Sequence, residues 1–462
     1  MYSKRSKLFT FLAALMALSM ILSACQPAVE EPVEEPTEVE EVEPTEAMEE
    51  EEEEEEEEAE PTEAMEEEEK VLKVGVLGPY TGGSARTGEE FKAAAQMAFS
   101  NIDYTIGDYT IELVWVDSEC DPAVATQAYE QAIVDDEVDT FIINWCSSVS
   151  VACMDLAAKY EVPHFSAFGA TNEVNRKWNS DTEKYHYWVN KWWPAPASLA
   201  PAYVDTIETA IENGNWSPEE KTAVIWGEDT DWGRSFAEGM INNLEAAGWE
   251  ILSEEYFPQD QTEFVPTLNK VKNLDPALFA GTTVSVPFVS ALINQADQVG
   301  LNSVMIADGL SWVGDWYSNV GDSSDYILDA VQSVSLASEE GQAFISTFEE
   351  DYDMTPSPSS GGLAYDAANF FIKAAQMTYE EYGELSSETL AEFAKNEIQT
   401  GNWSYTDGIV MEEYLFTPES SPDPVVGQGF YSFPIVQYFG GEGVKIYPEN
   451  VAEQEFTPPP AE

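Results

Sequence analysis

The chain has 462 residues, with 88 acidic against 19 basic side chains, a formal net charge of −69 and 44% hydrophobic residues. So acidic a chain excludes nucleic acid as a partner, because binding phosphate needs a basic face. The length beyond the N-terminal segments exceeds one ordinary domain, which predicts two lobes, and the apolar content suffices for real cores.

The first 25 residues read as an address. Lys4, Arg5 and Lys7 give a positive start, and Leu8 to Leu22 is an uncharged run of 15 residues. That is short for a spanning helix, which needs about 20 residues, and suits a signal-peptide core. The run ends in Leu22-Ser23-Ala24-Cys25. This ending resembles the bacterial lipobox, which implies a lipidated Cys25 as the first residue after cleavage and an anchor in a bacterial membrane. An uncleaved N-terminal anchor with an incidental cysteine is the alternative. Both readings place the rest outside the cytoplasm, at the cell surface or in the periplasm. Residues 26–69 carry no base and 25 Glu, with Pro-Thr-Glu-Ala-Met repeated. Such a segment cannot bury enough apolar surface to order itself. It is expected to be a disordered acidic tether, extended by its own repulsion. A charged spacer and a calcium-binding run are its two readings. The signal segment carries +3 and the tether −25, so −47 falls on residues 70–462. Adaptation to high salt, where screening relieves self-repulsion, would account for that excess.

From residue 70 the pattern alternates short β-type runs with helical stretches. Strands are expected at Val71–Leu77, Thr110–Asp117, Thr140–Asn144 and His164–Ala167. Helices are expected between them at Gly88–Asn101, Pro122–Asp135 and Val149–Tyr160. The alternation pauses through the aromatic stretch Tyr185–Trp193. It restarts with helix Ala197–Asn213, strand Thr222–Trp226, helix Trp232–Gly248 and strand Trp249–Tyr256. Helix Phe264–Lys272, strand Ala277–Gly281, helix Val286–Val299 and strand Ser303–Ala307 follow. A strand at Val331–Leu336, helices at Glu339–Tyr352 and Gly362–Tyr382, and a β-rich segment Tyr431–Tyr447 complete the chain. The predicted fold class is α/β, two doubly wound parallel-sheet lobes with a ligand cleft between them. Lobe 1 is expected to comprise 70–192 plus about 331–430, and lobe 2 to comprise 193–330 plus about 431–450. The tail 451–462, with three consecutive prolines, is expected to be loose.

In such sheets ligands bind beyond the carboxyl ends of the strands. That directs attention to the loops after Leu77, Asn144, Ala167, Trp226, Gly281 and Ala307. Ser147 or Ser148 could cap the helix near Val149, and the same helix end could hold a carboxylate. Gly169 permits close backbone approach, and the Thr171 hydroxyl can both donate and accept. Asp308 reads either as an ammonium partner at a strand end or as a solvated turn residue. Tyr80, Trp145, Phe168, Trp232 and Trp312 read either as core or as walls that stack on an apolar group or a cation.

Six segments, in this order, carry a family resemblance: Val74–Gly83, Trp115–Pro122, Trp145–Ser148, Phe165–Asn172, Tyr365–Ala368, and Gln437 with Tyr447-Pro448. Together they resemble the type I periplasmic binding proteins, in particular the leucine/isoleucine/valine-binding branch, across residues 71–450. The resemblance implies a two-lobed solute binder that delivers an amino acid to a membrane permease of an ABC importer. It implies a carboxylate contact from Ser147, a backbone N–H from Ala170, a hydroxyl from Thr171 and a carbonyl from Gly169. It implies an aromatic contact at Trp232 and a loop contact at Ser285, with the register there open by one residue. Relatives often place Glu where this chain has Asp308, so the ammonium site is expected to differ in depth or in kind. The family also pairs cysteines at the positions of Cys120 and Cys146, a loop closure worth about 3 kcal/mol in the chain-entropy model. Cys153 would then be a buried free thiol.

Other chemistries lack support. Two histidines, His164 and His186, argue against zinc. The Gly78–Gly88 loop has neither the lysine of a P-loop nor the spacing of a dinucleotide fingerprint. No nucleophile-elbow motif supports a hydrolase. The expectation is a monomeric binder with no cofactor and no enzymatic activity; the alternatives with the same fold are a tethered sensor for a signalling protein, or the same transport role for an amide, urea or aromatic acid.

Overall fold

The computed structural model describes residues 70–332 and 338–460. The signal segment, Cys25 and the acidic tether lie outside the described residues, as does the greater part of the strand expected at Val331–Leu336.

The first sheet holds β1 (Lys70–Gly78), β2 (Thr105–Ile106), β3 (Tyr109–Asp117), β4 (Thr140–Ile143), β5 (His164–Ser166) and β6 (Trp188–Lys191) in the order β2-β3-β1-β4-β5-β6. All pairings are parallel except β2 with β3. The helices α1 (Ala85–Ser100), α2 (Pro122–Val134), α3 (Ser147–Tyr160) and α4 (Asn172–Ser180) connect its strands. The expected pause at Tyr185–Trp193 is thus a strand. β6 is buried at all four positions, so it lacks the polar–apolar alternation by which a half-buried strand is read.

The second sheet follows α5 (Pro196–Glu212). It holds β7 (Thr222–Glu228), β8 (Glu250–Phe257), β9 (Leu278–Thr282), β10 (Val304–Asp308) and β11 (Leu328–Ala330). It is completed by β12 (Ile435–Phe439) and β13 (Glu442–Tyr447), in the order β13-β12-β11-β10-β9-β7-β8. The last two pair antiparallel, so both sheets are mixed at one edge around a parallel centre. The helices α6 (Asp231–Ala246), α7 (Val265–Leu274) and α8 (Val286–Val299) cross between its strands. Between the strands β11 and β12 the chain forms α9 (Glu339–Tyr352) and α10 (Leu363–Tyr382), and α10 returns to pack on α1 and β4 of the first sheet.

Both sheets bury nearly continuous apolar strands, such as Val74, Val76 and Leu77 in β1 and Val224, Ile225 and Trp226 in β7. This is the pattern of parallel strands covered on both faces. The tail departs from the expectation of looseness. Phe456 is buried with its ring 5.9 Å from that of Trp216, and Thr457 exchanges backbone hydrogen bonds with the Gln437 side chain at 3.0 and 2.8 Å. The prolines that follow lose little freedom on docking, so one buried aromatic holds the segment.

Candidate functional site

The carboxyl ends of the parallel strands of the two sheets bound a small pocket that is partly open to solvent. From the first sheet, the loop after β4 supplies Trp145 and Ser147. Ile143 and Asn144 immediately before it have φ of 75° and 70°, a region that β-branched residues rarely enter. Two successive left-handed residues turn the chain sharply from strand to helix, and the Asn144 amide donates to Ser150 Oγ inside α3. The helix begins at Ser147, earlier than expected. Cys146 holds the cap position, and no side chain caps the helix. Ser147 therefore is not a cap, and the first-turn N–H groups with their positive dipole end are left for an anion. Cys146 is joined to Cys120 with 5.4 Å between Cα atoms, and Cys153 is a buried free thiol. Burial raises the Cys153 thiol pKa far above its ordinary value.

The loop after β5 supplies Phe168, Gly169 and Ala170. Gly169 has φ of 85°, which only glycine adopts freely. Thr171, next in sequence, turns away from the cavity. Its N–H donates to Ser147 Oγ at 3.2 Å. Its hydroxyl caps α4 by accepting from Glu173 N–H, meets Ser235 Oγ at 2.7 Å and donates to the Asp231 carbonyl at 3.1 Å. Thr171 is thus a latch from the first lobe to helix α6 of the second, rather than a wall of the cavity.

The second sheet supplies Trp232 after β7, Val284 after β9 and Trp312 after β10. Buried carboxyl groups fix the loops that carry them. Glu228 accepts from Thr283 Oγ1 at 2.8 Å and from Val284 N–H at 2.9 Å. Burial raises its pKa, which these donors partly offset. Asp329 accepts from the N–H groups of Gly309 and Ser311 and from the Ser311 hydroxyl, which fixes the start of the loop that carries Trp312. Trp232 Nε1 donates to Thr282 Oγ1 at 2.9 Å, and Thr282 Oγ1 lies 3.0 Å from Asp308 Oδ2.

Asp308 is where the structure departs most from the ammonium-partner reading. It is the last residue of β10, 0% exposed, and does not line the cavity. Its other oxygen accepts from Tyr203 Oη at 2.7 Å. Burial, with Asp329 beside it, pushes its pKa up to about 8. A carboxyl in this setting positions Trp232 through Thr282; it offers no open face to a ligand. Tyr80 also stands apart: its hydroxyl donates to the Val76 carbonyl, its N–H donates to Asp117, and Lys92 sits 4.2 Å above its ring. Ser285 is buried at the cap position of α8, one residue beyond Val284, and its N–H donates to Thr283 Oγ1. Val284, one residue before it, lines the pocket.

Trp193, just after β6, also lines the cavity. It was missed because the stretch containing it reads as irregular. The chain crosses between lobes directly after it, where Lys191 Nζ pairs with Asp423 at 2.8 Å and donates to the Ala170 carbonyl at 3.4 Å. Among the described residues, no cluster of His, Cys, Asp or Glu is arranged to hold a metal ion, and no helix is long and apolar enough to cross a membrane.

Comparisons with known proteins place this geometry. A leucine-, isoleucine-, valine-, threonine- and alanine-binding protein of Pseudomonas aeruginosa is 22% identical over 354 residues, covering 75% of this chain and 88% of its own. A leucine-binding protein from Thermotoga maritima superposes with a TM-score of 0.66 at 20% identity, covering 81% of this chain and 97% of its own. An ABC-transporter solute-binding protein from Rhodopseudomonas palustris, solved with 3,4-dihydroxybenzoic acid, gives 0.65 at 20% identity, covering 81% and 95%. The family profile described as periplasmic binding protein matches residues 71–401. With that match across two mixed α/β sheets and a pocket at their strand ends, the chain belongs to the periplasmic binding protein family.

Proposed function

We propose that this chain captures a small carboxylate-bearing solute between its lobes and hands it to the membrane permease of an ABC importer. Its lobes are 70–192 with about 331–430, and 193–330 with about 431–450. The observation that carries the reading is the pocket at the strand ends, with the uncapped start of α3 at Ser147 and the Gly169–Ala170 turn on one wall. That wall offers backbone N–H groups and a helix dipole to one carboxylate. The relatives named above are described as binding branched-chain and small amino acids or an aromatic acid, so apolar carboxylates are the first compounds to test. The lobes close about their crossovers on binding.

Mass spectrometry of the small molecules released on denaturing freshly purified protein tests the capture reading, together with calorimetry on a panel of carboxylates. One-to-one release or binding of a carboxylate is expected; binding only of solutes without a carboxylate would overturn it. The membrane tether rests on the sequence around Cys25. Detergent phase partition tests it: the wild-type chain is expected in the detergent phase and Cys25→Ala in the aqueous phase, and equal partition would refute the anchor.

A further inference from the structure

We propose that Asp308 serves as a neutral carboxylic acid whose proton bonds Thr282 and thereby sets the Trp232 indole, so that solute affinity falls as this acid ionises with rising pH. The effect on affinity rests on the solute-capture reading above; the place of the proton does not. Asp308 is a positioning residue, acting on the pocket wall through Thr282.

The hydrogen bonds fix where the proton sits. An indole N–H can only donate, and a threonine hydroxyl has one proton and two lone pairs. Trp232 Nε1 donates to Thr282 Oγ1 at 2.9 Å, which uses one lone pair. The same Oγ1 lies 2.9 Å from the Asp308 carbonyl oxygen and 3.0 Å from Asp308 Oδ2, and its single proton serves one of the two. With a carboxylate, the remaining contact is two facing oxygens with no proton between them, in a site where Thr282 and Asp308 are both 0% exposed. With the acid, Oδ2–H donates to the free lone pair of Oγ1, the threonine proton goes to the carbonyl, and every contact is met. Oδ1 accepts from Tyr203 Oη at 2.7 Å in either state. Asp329, on the neighbouring strand β11, shows the opposite pattern. Its Oδ1 accepts from Gly309 N–H, and its Oδ2 accepts from Ser311 N–H, the Ser311 hydroxyl and Tyr438 Oη. Four donors suit a carboxylate. Of the two buried acids, Asp329 therefore carries the charge and Asp308 the proton, and burial with that neighbouring charge raises the Asp308 pKa. The other titratable groups facing the pair are Tyr203, Tyr431 and Tyr438, all held by burial well above the ordinary tyrosine range. Glu228, at the end of β7, faces Thr283 and Val284 instead. Asp308 is thus the member of this group that loses a proton first above neutral pH. The pocket wall is set while the acid is protonated, so affinity is full below its pKa and lost as pH rises through it.

Indole N–H spectra of the full chain labelled with ¹⁵N-tryptophan, recorded from about pH 5 to about pH 9.5, test the place of the proton without a ligand. The Trp232 signal is expected to move as one proton is lost, with a midpoint near 8, while Trp216 and Trp249 stay in place. Asp308→Asn keeps a donor for Thr282 and an acceptor for Tyr203 but cannot ionise, so its Trp232 signal is expected to hold still. Thr282→Val, which removes the link at similar shape, is expected to lose most of the shift. A wild-type Trp232 signal that does not move, or one that moves alike in Asp308→Asn, overturns the assignment; a full shift in Thr282→Val overturns the path through Thr282. Calorimetry with leucine, alanine and benzoate at pH 7 and pH 9 tests the effect on capture. A solute that binds is expected to bind about tenfold more weakly at pH 9 in wild type. That difference is expected to vanish in Asp308→Asn, which also controls for titration of a ligand's own amine. Equal affinity at both pH values overturns the control of binding by Asp308. Absence of binding by all three overturns solute capture, and the spectra still decide where the proton sits.

Discussion

At Gly169 the backbone has φ of 85°, and a Cβ would overlap Ser150 Oγ. Gly169→Ala should therefore cost about 1–3 kcal/mol and weaken ligand binding, since Ala170 moves with it; urea denaturation and titration of the same variant check both. Asp308 makes a prediction in pH. Its folded pKa of about 8 lies above the ordinary carboxyl value. A raised carboxyl pKa gives stability that is full below about pH 4 and is lost as pH rises toward 8, at up to about 1.4 kcal/mol per pH unit. Asp308→Asn cannot ionise, so its melting temperature should fall less than wild type between pH 5 and 8; parallel curves would show that Asp308 is not titrating there. At this scale the sequence was legible in part. Ser147, Gly169, Ala170 and Trp232 line the cavity because their place in a strand-to-helix turn settles where they sit. Asp308 and Thr171 were misread because a side chain's direction depends on partners distant in sequence, Tyr203 for one and Ser235 for the other.

Among the elements, α1 joins the lobes through one side chain. Glu90 is 0% exposed and accepts from Gly314 N–H, Ser357 N–H, Ser360 Oγ and Gly361 N–H, with Arg86 3.3 Å away. It ties helix α1 to the segment after Trp312 and to the turn that opens α10. Burial raises its pKa, and Arg86 and the donors oppose that rise. Glu90→Gln keeps the shape but replaces one acceptor oxygen with a donor facing donors. A loss of about 1–3 kcal/mol is expected, with weaker ligand binding because the Trp312 loop loosens; unchanged urea midpoint and affinity would refute this link. The order of strands and helices was legible because each run kept its own period. The β6 strand was not, since full burial erases alternation, and neither was the antiparallel edge made by β12 and β13, whose pairing depends on a long return of the chain.

For the whole molecule, the excess of acidic groups is the dominant long-range term. Few of its carboxylates are paired, with Lys and Arg together numbering 19. Self-repulsion of this size is relieved when added salt shortens the Debye length from about 10 Å at 0.1 M to about 3 Å at 1 M. The melting temperature is therefore expected to rise between these concentrations of sodium chloride, and a flat or falling response would show that local pairs outweigh the net field. The two-lobed architecture and the position of its cleft follow from sequence, because opposed strand ends are where doubly wound sheets leave space. The tryptophan lining was only half visible, since a single Trp is read equally well as core. The central claim is that a solute binds among these indoles. Indole N–H spectra of ¹⁵N-tryptophan-labelled protein, titrated in turn with leucine, alanine and benzoate, test it most directly. The account predicts that one of them shifts the signals of Trp145, Trp193, Trp232 and Trp312 together and leaves Trp216 and Trp249, whose tilted rings lie 5.7 Å apart away from the pocket, in place. Shifts confined to tryptophans outside the cavity, or none with any of the three, would contradict it.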